Sequence, residues 1–96
     1  MKLTYSPRAR RNIREIHDWF AGRSAKAAKA VVNAIRNTAE LIGEYQKIGR
    51  ATDIEGVRVL PVVKYPYLVY YMIRTDEVVI AHIRHGARDA PQQGEI

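Results

Sequence analysis

The chain has 96 residues, of which 47% are hydrophobic, none is cysteine, and the formal net charge is +6 at pH 7. A domain of this size buries roughly two-thirds of the surface that its unfolded chain exposes, so a single modest core is feasible. The composition argues against wholesale disorder, against a membrane span of ~20 apolar residues, and against disulfides or thiolate metal sites.

The positive charge is concentrated in the first third of the chain. Residues 1–36 carry nine Lys or Arg against two acidic residues, whereas residues 37–57 carry two against four. Such a basic surface favours an acidic partner, either nucleic acid or an acidic protein segment, or is simply a solvated face that aids solubility. The N-terminal residues lack the charged-then-apolar order of a leader, so we expect a cytoplasmic protein.

The first half of the chain predicts a short strand and two helices. Lys2 to Tyr5 alternates polar and apolar residues, as in a strand near a sheet edge. Ser6 and Pro7 are typical of a helix start, and Gly22 of its end. Ser24 then begins a second helix that we expect to reach about Ile42. Each helix has one apolar stripe: Ala9, Ile13, Ile16 and Phe20 in the first, and Ala28, Val31, Ile35, Thr38 or Ala39, and Ile42 in the second.

The second half predicts a loop and three strands. Residues 44–55 have no periodic pattern, and Val57–Val63 reads as a strand that Pro61 keeps from a central position. Tyr67–Arg74 and Val78–Arg84 form a hairpin around Thr75 and Asp76. Simple alternation puts Leu68, Tyr70, Met72, Val79, Ala81 and Ile83 on one face, and Tyr67, Val69, Tyr71, Ile73, Val78, Ile80, His82 and Arg84 on the other. Both faces are largely apolar, so we expect the hairpin in the middle of a sheet.

The predicted fold is α+β in two layers, with an N-terminal strand, an α-helical hairpin and a three-stranded antiparallel sheet. The short link between the helices makes them an antiparallel pair. We expect one domain over residues 1–90 and a loose tail over residues 91–96.

The order of several segments resembles one known family. These segments are YSPRARRNIREIHDWF, IGRATDIEGVRVLPV, YPYLVYY and IRHGARD. Over residues 3–89 they are similar to the RelE/ParE superfamily of toxins from bacterial type II toxin–antitoxin pairs, and closest to the ParE branch. The resemblance implies a compact toxin, associated with plasmid stabilization, that a cognate antitoxin neutralises in a hetero-oligomer. We expect that antitoxin to be small, acidic and partly disordered until it binds.

The branches of the superfamily differ in target. The resemblance implies either a gyrase poison that is not a nuclease, as in the ParE branch, or a ribosome-dependent messenger RNA endoribonuclease, as in the RelE branch. RelE-like enzymes have cationic residues that stabilise a charged phosphorane. Arg58 and Arg88 can stand at two of those places, but leucines, Leu60 and Leu68, stand at two others. We therefore expect a gyrase poison rather than an enzyme.

The polar residues after the last strand are the candidate site. We expect Arg58, Arg84, His85 and Arg88 to bind the target, and if the chain is a nuclease, Arg58, His85 and Arg88 to be catalytic. His85 beside cations could be a general base or could hydrogen-bond the end of the strand.

The remaining histidines and Trp19 are expected to be structural or without a role. We expect His82 to be packed rather than catalytic, assign no role to His17, and expect Trp19 to cover the edge of the core. No metal site, cofactor, membrane contact or direct nucleic-acid binding is expected.

Overall fold

The computed structural model describes residues 1–86, which form two helices packed on one face of a five-stranded sheet. Arg88 and the predicted tail over residues 91–96 lie outside this range. The elements are β1 (Lys2–Tyr5), α1 (Pro7–Ala21), α2 (Ala25–Glu44), β2 (Arg50–Ala51), β3 (Val57–Pro61), β4 (Tyr67–Ile73) and β5 (Glu77–His85). The α+β class and the two helices are as predicted. Within residues 1–86, neither helix has the length and apolar character needed to cross a membrane.

The sheet corrects the prediction of three antiparallel strands. Its order is β1-β5-β4-β3-β2, and β1 pairs in parallel with β5, with Leu3 opposite Val78. A parallel pair needs a long crossover, which the helical hairpin supplies, and local sequence patterns do not report such distant pairing. The predicted loop over residues 44–55 also contains β2, a two-residue strand that pairs with β3. The hairpin of β4 and β5 does lie in the middle of the sheet.

Both helices begin where the sequence indicates. The Ser6 hydroxyl accepts a hydrogen bond from the Ala9 amide at 3.0 Å, and the Ser24 hydroxyl accepts one from the Ala27 amide at 3.2 Å. These bonds satisfy amides that have no partner inside the first helical turn. α2 extends to Glu44, two residues past the predicted end.

The main core lies between the helices and one face of the sheet. Its buried residues are Ala9, Val31, Ile35, Ala39, Ile42, Val62, Val69, Tyr71, Val78, Ile80 and Ile83. A smaller cluster occupies the opposite face of the sheet, and it consists of Val57, Val59 and Tyr70 with Ile54, Leu68 and Met72 against them. The helix stripes predicted from sequence thus supply one half of the main core.

A β-bulge at Ala81 changes which residues face the helices. Tyr70 pairs with His82 and Tyr71 pairs with Ile80, so Ala81 is an extra residue in β5. The predicted alternation is therefore wrong beyond the bulge. Ile83 faces the helices and joins the main core, whereas His82 is turned to the opposite face beside Tyr70. Arg84, opposite Leu68, is turned to that face as well.

Polar side chains of the α1 segment bind β5 at and after the bulge. The Ser6 hydroxyl donates to the Ala81 carbonyl at 2.8 Å, and the Asn12 side-chain oxygen accepts from the Ile83 amide at 3.1 Å. β1 has ended at this level of the sheet, so these two side chains take the place of a neighbouring strand. The start of α1 is thereby fixed against the end of β5.

The turn after α2 is held by side chains from the sheet. The Tyr71 hydroxyl donates to the Gln46 carbonyl at 2.7 Å and accepts from the Gly49 amide at 2.9 Å. Arg58 donates to the carbonyls of Gly49 and Lys47 at 2.9 and 3.2 Å. We call this set, Gln46, Lys47, Gly49, Arg58 and Tyr71, the turn clamp. It satisfies the backbone of an irregular segment that has few partners of its own.

Gly49→Ala should destabilise the protein, because its Cβ would lie 2.7 Å from the Tyr71 hydroxyl and 2.8 Å from the Val59 carbonyl. We expect the free energy of unfolding, measured with urea, to fall by about 1–3 kcal/mol. Gly22→Ala is the matched control, since its nearest neighbour is 3.6 Å away and its φ is −62°. Equal losses in the two variants would contradict the importance of the close contact at Gly49.

Candidate functional site

Two grooves lie on either side of α1. The first, which we call the helix groove, has a volume of about 760 Å³ and lies between β1, α1 and α2. Its lining residues are Leu3, Thr4, Tyr5, Arg10, Ile13, Arg14, His17, Val32, Arg36 and Glu40. Among the strands of residues 1–86, β1 lies at the edge of the sheet, so the helix groove opens beside backbone that no other strand of this range covers.

The helix groove combines an apolar floor with a basic rim. Ile13 and Val32 from the two helices belong to the floor, while Arg10, Arg14 and Arg36 contribute cations. Within residues 1–86 the one contact under 4 Å between a nitrogen of a basic side chain and a carboxylate is the hydrogen bond of His17 with Asp18, at 3.1 Å. These three arginines therefore have no carboxylate of this range within 4 Å. Such a surface suits an acidic segment that also carries apolar side chains.

Tyr5 gives the floor of the helix groove a polar atom. Burial raises the pKa of its hydroxyl, with Arg36 lowering it and Glu40 raising it to smaller extents. The hydroxyl is therefore protonated at neutral pH and can donate a hydrogen bond to a bound segment.

The second groove, the strand-end groove, lies between α1 and the end of β5, with a volume of about 710 Å³. Its lining residues are Arg8, Asn12, Glu15, Ile16, Trp19, Phe20, Pro66, Tyr67, His82, Ile83, Arg84 and His85. The His85 ring meets the Tyr67 ring edge-on with centroids 5.6 Å apart. Four consecutive residues of β5, His82 to His85, line this groove, and their side chains alternate between the two faces, so the groove follows the edge of the strand end. Two of the predicted site residues, Arg84 and His85, are among them, with Arg8 of α1 in the same groove.

Trp19 is more exposed than we expected for a side chain that covers the edge of the core. Its side chain is 55% exposed, its ring lies 4.9 Å from that of Phe20, and the Arg23 guanidinium stacks 3.5 Å from its centre. It therefore extends the wall of the strand-end groove with an aromatic surface.

Arg58 does not belong to either groove. It pairs with Tyr71, which pairs with Ile80, four residues before Arg84 on β5. Because Ala81 is the extra residue of the bulge, this span equals the three residues from Tyr71 to Leu68 on β4. That separation is about 10 Å along the strand, and Arg58 faces the helices while Arg84 faces away. The guanidinium of Arg58 is engaged in the turn clamp. The structure therefore separates Arg58 from Arg84 and His85, and Arg88 lies outside the described residues.

The two leucines at the predicted cationic places are packed. Leu60 lies against the main core, and Leu68 lies against the cluster on the opposite face. His82 is 6% exposed, with its ring 6.2 Å from that of Tyr70, which agrees with a packed role. Residues 1–86 contain no group of three His, Asp or Glu placed to hold a metal ion.

The grooves bring together residues that the sequence analysis did not single out. Arg10, Arg14 and His17 are spaced four and three residues apart, so they share one side of α1. That spacing is a signal in the sequence. Arg36 of α2 lines the helix groove, and Arg8 lines the strand-end groove. Neither position can be predicted from residue spacing, because both depend on how the helices and strands pack.

Comparisons with known proteins agree on one group. The family described as ParE toxin of type II toxin-antitoxin system, parDE, matches residues 3–90. Toxin RelE3 of Caulobacter vibrioides is 33% identical over 81 residues, which cover 82% of this chain and 87% of that protein. The fold is similar to a solved chain of the chromosomal ParDE TA system from P. aeruginosa, with a TM-score of 0.80 and 22% identity, over 88% of this chain and 95% of that one.

Arg58→Ala should lower stability, because it removes two hydrogen bonds that hold the turn after α2. We expect the free energy of unfolding to fall by about 1–2 kcal/mol in urea titrations. Arg74→Ala, an exposed change at the tip of the β4–β5 hairpin, is the control and should alter stability by no more than about 0.5 kcal/mol. An unchanged unfolding midpoint in Arg58→Ala would contradict the structural role.

Proposed function

The chain belongs to the family of ParE toxins of type II toxin–antitoxin systems, and we propose that it stops growth by poisoning DNA gyrase. A poison of this kind binds gyrase and lets cleaved DNA persist, without a chemical step of its own. The protein would act in the cytoplasm, where gyrase and its DNA are found.

The environment of Arg58 carries this proposal. Cleavage of RNA through its 2′-hydroxyl needs several cations around the phosphorane, and each is worth about 3–4 kcal/mol of transition-state stabilisation. Arg58 is bonded to two backbone carbonyls, and Leu60 and Leu68 supply no charge. Without those cations, a binding role at the strand-end groove is better supported than a nuclease.

Arg84 and His85 are the target contacts that we propose. They line the strand-end groove together with Arg8 and the exposed Trp19. A surface with cations and an exposed aromatic ring resembles the residues that dominate protein interfaces, where Arg and Trp are enriched. Arg58 and Arg88 stay predicted contacts from sequence; Arg58 would act mainly through the turn clamp.

A ribosome-dependent messenger RNA endoribonuclease is the second candidate, and the same groove favours it. Arg8, Arg84 and His85 line one cavity, where the His85 ring would accept a proton and the guanidinium groups would stabilise negative charge. The relative in Caulobacter vibrioides bears the name RelE3. This mechanism would use His85 as the base and Arg84 or Arg88 as the stabilising cation.

The partner that we propose is a cognate antitoxin whose acidic, partly disordered segment folds into the helix groove. The positive charge of the helix groove supports an acidic partner. Arg10, Arg14 and Arg36 rim the groove, and Glu40 is its only acidic lining residue in the described chain. The apolar floor would supply affinity through burial, at roughly 25 cal/mol per Å² of apolar surface. The complex would be a toxin–antitoxin hetero-oligomer.

Purified toxin should inhibit gyrase supercoiling and accumulate linear DNA, while leaving messenger RNA intact on translating ribosomes. Arg84→Ala and His85→Ala should each weaken the gyrase effect by about tenfold, as expected when an interface residue worth more than 1 kcal/mol is truncated. Arg74→Ala, far from the groove at the hairpin tip, should keep full potency. If supercoiling stays intact, messenger RNA is cut, and His85→Ala abolishes that cutting, the nuclease would replace the gyrase proposal.

Antitoxin binding should depend on the basic rim of the helix groove. Arg14→Glu should weaken the toxin–antitoxin complex by about tenfold or more, because it places like charge against an acidic segment. Arg11→Glu is the matched control, since it makes the same change on the same helix at an exposed residue outside both grooves. Calorimetry would measure the affinity of each variant for the antitoxin. Equal losses of affinity in the two variants would contradict the assignment of the helix groove as the antitoxin site.

A further inference from the structure

An exposed, largely apolar stripe runs along one flank of α2 and into the turn that follows. Its large members are Leu41, Tyr45 and Ile48, whose side chains are 40%, 57% and 43% exposed. Ala30, which is exposed, and Ala34, which is partly buried against the main core, continue the stripe toward the start of the helix at the same helical spacing. Three large apolar side chains exposed within eight residues are unusual for a surface that stays in water.

This stripe is separate from both grooves. Arg36 and Glu40 of α2 point into the helix groove, and the stripe lies about 140° further around the helix, at 100° per residue. No stripe residue lines the strand-end groove either. A partner on the stripe therefore does not compete with a segment in the helix groove.

The large end of the stripe is rigid before any partner binds. The Ile48 amide donates to the Tyr45 carbonyl at 2.9 Å, and the turn clamp holds the intervening residues through Tyr71 and Arg58. A preformed surface loses little conformational entropy on association.

The stripe is complementary in size to a second copy of itself. A two-fold axis level with the junction of Asn37 and Thr38 would set Leu41 opposite Ala34 of the other copy. The same axis sets Tyr45 opposite Ala30. Large side chains would then fill the spaces over small ones, as close packing between helices requires.

The charges of α2 favour the same antiparallel arrangement. The first half of the helix carries Lys26 and Lys29 without an acidic residue, and the segment from Asn37 carries Glu40 and Glu44 without a basic one. Antiparallel pairing puts each basic half beside the acidic half of the other copy. A parallel pairing would oppose like charges.

We propose that the chain self-associates through α2, forming an antiparallel two-fold dimer whose axis lies at the junction of Asn37 and Thr38. A single helix pair buries less than the roughly 1,600 Å² of a standard interface, so the dissociation constant should be on the order of 10 μM. This inference goes beyond gyrase poisoning and does not depend on it.

Single-cysteine crosslinking tests the register, because the chain has no cysteine of its own. Asn37→Cys brings two thiols together at the two-fold axis, where facing Cα atoms come within the roughly 4.4–6.8 Å that a disulfide needs. Asn33→Cys is the control, an exposed asparagine of the same helix that lies off the stripe and about 13 Å from its counterpart along the axis. We expect Asn37→Cys to form covalent dimers about tenfold faster or more.

Sedimentation of the whole chain over a range of concentrations tests the dimer without a crosslink. The unmodified protein should shift from monomer to dimer, and Leu41→Glu should stay monomeric. Val63→Glu, at a side chain that is 74% exposed on the β3–β4 connection, should dimerise normally. A monomer at every concentration, with equal crosslinking of the two cysteine variants, would overturn the proposal. If Leu41→Glu then also lost gyrase inhibition, the stripe would be a target contact instead.

Discussion

The β-bulge at Ala81 sets which residues of β5 face the helices and where α1 begins. It shifts the alternation of β5 by one residue, so that Ile83 enters the main core while His82 and Arg84 turn to the other face. The Ala81 carbonyl accepts a hydrogen bond from Ser6, whose side chain also caps α1. One serine therefore joins the bulge to the start of the first helix, and the position of α1 relative to the end of β5 creates the strand-end groove.

The turn clamp fixes a second part of the backbone, the turn after α2, against the sheet. Tyr71 lies in the main core and reaches the turn after α2 with its hydroxyl, and Gly49 leaves no room for a side chain at that contact. Arg58 completes the clamp with two bonds to carbonyls. An arginine that resembles a catalytic residue by its place in the sequence is thus engaged in holding backbone, and the exposed residues of the turn are presented in one conformation.

Three candidate binding surfaces lie in separate regions of the molecule. The helix groove is apolar with a basic rim, the strand-end groove combines cations with aromatic rings, and the flank of α2 exposes an apolar stripe. The excess of arginine in α1 supplies cations to both grooves, because α1 separates them. Because no residue lines two of these regions, a partner on one of them would leave the residues of the others accessible.

The elements whose signals are local could be predicted from the sequence. Serine caps, apolar stripes at helical spacing and the two-sided hairpin predict both helices and the central strands, because capping and burial act over a few residues. Tertiary structure alone decided the parallel pairing of β1, the short β2, the bulge at Ala81 and the separation of Arg58 from Arg84. Each of these depends on groups far apart in the chain. A bulge inverts the alternation without changing composition, so the face that a residue such as His82 occupies is settled only when the hydrogen bonds between strands and helix are formed.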